Sequence, residues 1–141
     1  MSSSVHFVLV CGAWHITESW DPVRKLLSNA GYDSTAVSLA SVGVSQGNCE
    51  MPEDAAKIRS ATQEVIDRGE DAIVVLHSYA GQPGSEAMQG LEKTERQKKG
   101  LQGGVVRMVI ISGYVVPEGF QDAQREKPAP PFDWMKWHPE V

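Results

Sequence analysis

A serine becomes a useful nucleophile where the backbone lifts its hydroxyl clear of the chain and hydrogen-bond donors wait for the charge that develops. The segment Ile73-Val74-Val75-Leu76-His77-Ser78-Tyr79-Ala80-Gly81-Gln82-Pro83-Gly84 has that form. A continuous apolar run feeds straight into a turn centred on Ser78, and a helix is predicted to start at once. This is the context of a nucleophile elbow over 76–80, in which a strained turn projects the serine Oγ from the end of a sheet. Small residues two positions before and after such a serine let strand and helix approach. Here those positions hold Leu76 and Ala80, where the usual motif has glycine. A second role fits the same residues: Ser78 as the N-cap of the helix, a position serine favours.

Acyl transfer through a serine also needs backbone N–H groups facing the oxyanion. The run Val8-Leu9-Val10-Cys11-Gly12-Ala13-Trp14-His15 ends a second apolar stretch in a Gly12-Ala13 turn. Such a turn is placed to offer one donor, from Ala13 or Trp14, with the N–H of Tyr79 as the other. Gly12 and His15 would line the pocket. A tight strand–helix turn of any doubly wound fold would look similar, but no G-x-G-x-x-G follows this strand, so a dinucleotide fingerprint is excluded.

A base is harder to find. Of the four histidines, His6 lies inside a strand and His138 in a Pro/Trp-rich tail. His15 follows the turn, as a pocket or packing residue. His77 adjoins the serine, with its side chain expected to point elsewhere. Glu118 and His138 are weak candidates for acid and base. Cys11 and Cys49 match no metal or disulfide spacing, and no His/Cys/Asp pairing suggests a metal. No cofactor is implied.

The elements that must hold these residues alternate. Apolar runs at Val5–Val10, Thr35–Leu39, Ala72–Leu76 and Val105–Ile111 predict strands covered on both faces. Between them, a stripe of Val23, Leu26, Leu27 and Ala30 predicts a helix over about Ser19–Ala30, stopped by Gly31. Ile58, Ala61, Thr62, Val65 and Ile66 predict a second helix, entered at Pro52 and ended at Gly69. A third starts near Gln82-Pro83, with Gly84, Ala87, Met88 and Leu91 on one face. The expected fold class is α/β: a parallel sheet in a three-layer α/β/α arrangement. Val42–Glu50 reads as a loop. The basic residues Lys93, Arg96, Lys98 and Lys99, interrupted by Glu92 and Glu95, read as a solvated helix end. The core is expected over residues 1–116 and a Pro/aromatic tail, the start of a cap region, over 117–141.

Composition sets the outer limits. The chain has 141 residues, 41% hydrophobic and 22% charged, with a net charge of −5. It is long enough for one domain with a real core. An acidic balance argues against nucleic-acid or anionic-membrane partners. The first residues lack a basic segment and a long apolar run, and no stretch approaches the ~20 residues of a membrane span. A cytoplasmic protein is the expectation.

Together the two chemical segments resemble a known family. His6 through His15, followed by Trp20, Pro22-Val23 and Leu26-Leu27, looks like the opening of the small α/β hydrolases, the branch with plant methyl esterases, hydroxynitrile lyases and many fungal hydrolases. Cys11-Gly12 stands where that branch has histidine-glycine. His77-Ser78-Tyr79-Ala80-Gly81 is similar to its histidine-serine-tyrosine-glycine-glycine elbow, and Val105–Pro117 to the next strand and its exit toward a cap. The resemblance implies Ser78 as nucleophile and hydrolysis of an ester or similar carbonyl compound. It also implies an acid and a histidine on later strands, in the order serine, acid, histidine, which these residues do not supply. Two expectations follow: a weakly active or inactive chain completed by a second polypeptide or by self-association, or a non-catalytic truncated hydrolase serving as a binding or partner module.

Overall fold

The computed structural model describes residues 4–43, 49–113, 115–117 and 119. Four strands, β1 (Val5–Val10), β2 (Asp33–Val37), β3 (Asp71–His77) and β4 (Gly104–Ile111), form one sheet in the order β2-β1-β3-β4. Every pairing is parallel. The helices are α1 (Asp21–Asn29), α2 (Met51–Asp67), α3 (Gly81–Ala87) and α4 (Lys93–Lys98). Parallel pairing brings the C-terminal ends of β1, β3 and β4 side by side, with Val10 opposite Leu76 and His77 opposite Ile111. Both chemical segments therefore open onto the same edge.

The two faces of the sheet differ. Val8, Val10, Ala72, Val74 and Leu76 pack with Ile58, Val65 and Ile66 of α2 and with Ala87, Met88 and Leu91, all buried. On the other face α1 contributes no buried residue. The predicted stripe is present, but it does not enter a core: Val23 is 39% and Leu26 68% exposed, and only Leu27 is half-buried. Periodicity finds the apolar side of a helix; it does not say whether anything covers it.

Gly31 and Gly69, at φ +83° and +86°, follow the first two helices as expected. Helix α2 begins with a reciprocal capping box between Glu50 and Glu53, with Pro52 in its first turn. Strand β2 starts two residues earlier than its apolar run, because Asp33 and Ser34 pair with His6 and Phe7. The third predicted helix stops at Ala87, and the chain turns before α4. Arg96 of α4 departs from the solvated helix end expected of its cluster. It is buried, donates to the carbonyls of Gly103 and Gln102, and pairs with Asp67 at 2.8 Å. Burial is tolerated because the guanidinium can satisfy carbonyls that the turn into β4 leaves open. Residues 44–48 of the predicted loop and nearly all of the 117–141 tail, with Glu118 and His138, lie outside the described residues.

At the N-terminal edge, far from Ser78 along β3, buried His6 bonds Thr35 Oγ1 at 2.9 Å through Nε2 and Glu70 at 3.3 Å through Nδ1. His6, Asp33 and Glu70 bring possible ligand atoms within 4.8 Å of one another. Both ring nitrogens are engaged, and Glu70 also accepts from Arg68 at 2.7 Å. Burial opposes ionisation of Glu70, but the hydrogen bond and charge of Arg68, with His6, outweigh it and hold the carboxyl below its usual range. A carboxylate whose folded pKa is lowered adds stability above its unfolded pKa and loses it as pH falls through the folded one. Glu70→Gln should thus be less stable than wild type at neutral pH, and the gap should close below about pH 4.3, the ordinary glutamate value. Urea unfolding midpoints across a pH series test this; a gap independent of pH would remove the linkage.

Candidate active site

Three non-glycine residues among those described have positive φ: Trp14 at +63°, Ser78 at +54° and Ser112 at +48°. Each stands just beyond the C-terminal end of a strand, β1, β3 and β4 respectively. A left-handed backbone costs a residue with a side chain about 1–2 kcal/mol, and such strain gathers where structure around it over-determines the conformation. Ser78 has the expected elbow geometry, a strand on one side and a short 3-10 turn (Ser78–Ala80) leading into α3 on the other. Ser112 carried no signal in the sequence; its strain is visible only beside Ser78.

Close approach explains the glycines around the serine. A Cβ on Gly12 would lie 3.1 Å from Ser78 Cβ and 2.8 Å from His77 Nδ1. One on Gly113 would lie 2.7 Å from the Ser78 carbonyl oxygen. The Gly12-Ala13 turn and the end of β4 therefore pack directly on the elbow. Ser78 is half-buried. No side-chain cap bond starts either the 3-10 turn or α3, so Ser78 is not acting as an N-cap.

Leu76, the departure from the elbow's usual glycine, is fully buried and has its own accommodation. A Cβ on Gly84 of α3 would lie 2.4 Å from Leu76 Cδ2. Helix and strand keep their close approach because the missing side chain has moved from position 76 to position 84.

The turn after β1 is built around His15. Its backbone N–H donates to Gly12 O at 3.2 Å and its Nδ1 bonds Ala13 O at 2.8 Å. The His15 ring meets His77 edge-on at 5.1 Å, and His77 meets Trp20 at 6.4 Å. Cys11, His15, Ser19, Trp20, His77 and Ile111 line a cavity of about 410 Å³. His77 thus points to this cavity, a role that strand alternation through Ile73 and Val75 would have indicated. Gly12 is buried, Ala13 and Tyr79 are half-buried, and Trp14 is 79% exposed. Cys11 donates its thiol to Ile16 O at 3.3 Å, and burial pushes its pKa up. The thiol therefore stays protonated, and weakly nucleophilic, at neutral pH.

This strand order, elbow and neighbouring turn are those of a hydrolase fold, and comparison agrees. Residues 7–140 match the alpha/beta hydrolase family, and the chain belongs to it. Alpha/beta hydrolase nvfD of Aspergillus novofumigatus is 32% identical over 112 residues, which cover 79% of this chain and 44% of nvfD. Tomato Methylketone Synthase I, solved in complex with 2-tridecanone, is similar in fold, with TM-score 0.60 and 21% identity over 86% of this chain and 44% of its own. The chain spans under half the length of either relative. No helix among the described residues is long and apolar enough to cross a membrane.

Proposed function

We propose that Ser78 is the nucleophile of an acyl-transfer site that takes an ester or similar carbonyl substrate, with water as the final acceptor. The observation that carries this reading is the strained φ of +54° at Ser78, on an elbow whose serine is not used as a helix cap. Ser78 Oγ would attack the carbonyl carbon, and the alcohol would leave with a proton. Water would then release the acid and restore the hydroxyl. Backbone N–H groups of Ala13 or Trp14 and of Tyr79 would hold the oxyanion, with Gly12 and His15 at the pocket wall. The proton needs a base. Among the described residues no histidine is bonded to Ser78: His6 is at the far edge of the sheet and His15 is engaged with Ala13 O. Acid and base would therefore come from outside these residues, in this chain or another.

A fluorophosphonate probe tests the reading. Wild type should be labelled slowly and Ser78→Ala not at all. Turnover of a nitrophenyl ester should be feeble, since donors without a triad still give ~10³–10⁴-fold catalysis. Labelling that survives Ser78→Ala would move the nucleophile elsewhere. An unlabelled wild-type protein would favour the non-catalytic binding module.

A further inference from the structure

We infer that His15 is a positioning residue: it clamps the turn after β1 so that the amides of Ala13 and Trp14 are presented to an anion. The inference rests on reading Ser78 as the nucleophile, but its geometry is independent of that residue. His15 holds two successive carbonyls, Gly12 O through its backbone N–H at 3.2 Å and Ala13 O through Nδ1 at 2.8 Å. Among the described residues no peptide bond is cis, and in a trans peptide the C=O and N–H of one unit point in opposite directions. Gly12 O shares its peptide unit with the Ala13 N–H, and Ala13 O shares its unit with the Trp14 N–H. Fixing both oxygens toward His15 turns both N–H groups away from it. Among the described residues neither amide has a protein acceptor.

The left-handed Trp14, at φ +63°, is what this clamp sustains. Successive amides exposed at such a kink form an anion-binding concavity, and Gly12 packs it against Ser78. The bond also sets the imidazole's tautomer. A carbonyl only accepts, so the Nδ1 facing Ala13 O carries the proton, and in the neutral ring Nε2 is bare. The edge-on contacts with His77 and onward to Trp20 hold the ring in that orientation.

The tautomer is read by ring ¹⁵N NMR of histidine-labelled protein at neutral pH. The neutral His15 ring should be in the Nδ1–H form; an Nε2–H form, or a mixture of the two, overturns the clamp. Substitution separates positioning from bulk. The amide of asparagine reaches where Nδ1 sits, whereas that of glutamine reaches where Nε2 sits. His15→Asn should keep the Ala13 and Trp14 amide resonances and the fluorophosphonate labelling rate. His15→Gln and His15→Ala should shift those resonances and slow labelling at least ~10-fold, below the ~10²–10³-fold cost of deleting a donor outright. His15 is exposed, so these variants should fold. Unchanged labelling in His15→Ala, or an Asn variant as poor as Gln, overturns the inference. If the wild type is not labelled at all, the Ser78 reading fails, while the tautomer and the amide resonances still decide the role of His15.

Discussion

Gly84→Ala should destabilise the protein by about 1–3 kcal/mol, and most of that cost should disappear when the same change is made in a Leu76→Ala background. The added methyl would sit 2.4 Å from Leu76 Cδ2, 2.7 Å from Cδ1 and 3.1 Å from Cγ. Leu76 is fully buried between sheet and helix and cannot swing aside. Leu76→Ala alone leaves a cavity and should cost about 2–5 kcal/mol. In the double variant the new methyl on α3 occupies part of that space, so the two penalties do not add, and a coupling of about 0.5–3 kcal/mol is expected. Urea unfolding of the four proteins measures it. Additive effects would show that Leu76 and Gly84 do not share one space. The same contact sets how closely α3 follows β3, so Gly84→Ala should also disturb the turn at Ser78 and slow its labelling more than its loss of stability explains.

This pair marks where the sequence stops being readable. The elbow was legible because a strand buried on both faces reads as an unbroken apolar run, and Val74-Val75-Leu76 leaves no room for a gentle turn before α3. The glycines at 31 and 69 announced helix ends because a left-handed residue there wants no Cβ. Leu76 looked like a defect in the motif because its compensation lies eight positions away on another element, a relation that exists only after folding. Arg96 looked solvated because its charged neighbours are, while the carbonyls that hold it belong to the turn at 102–103. The strain at Ser112 and the two hydrogen bonds of His15 to its own turn had no compositional signal. Conversely, the stripe on α1 predicts the helix and says nothing of its exposure, because periodicity describes one partner of a contact and not the other.

That uncovered face carries the last expected result: the isolated chain should self-associate through β4, and a lysine at Ile111 or Val109 should suppress it. Among the described residues β4 pairs with β3 on one side and, on the other, only at its start, through a bridge of Val105 to Glu92, so from Val106 onward its outer N–H and C=O groups form an open edge. Apolar side chains line it: Val106 is 45%, Met108 41%, Val109 36% and Ile111 42% exposed. Exposed apolar edges template pairing with another strand, and an edge charge blocks it. Two copies related by a two-fold axis would pair β4 with β4 antiparallel, each copy offering the same residues to the other. Val109 and Ile111 would gain cover on the face where Val23 and Leu26 of α1 are also open. Light scattering behind size exclusion, across a dilution series, should give a mass that rises with concentration for wild type and stays at 15.4 kDa for Ile111→Lys. A wild-type protein that remains at that mass throughout would sink the idea and place the cover for β4 within its own chain. Equal association of wild type and both lysine variants would move the contact to the α1 face, where Leu26→Lys is the next substitution to measure.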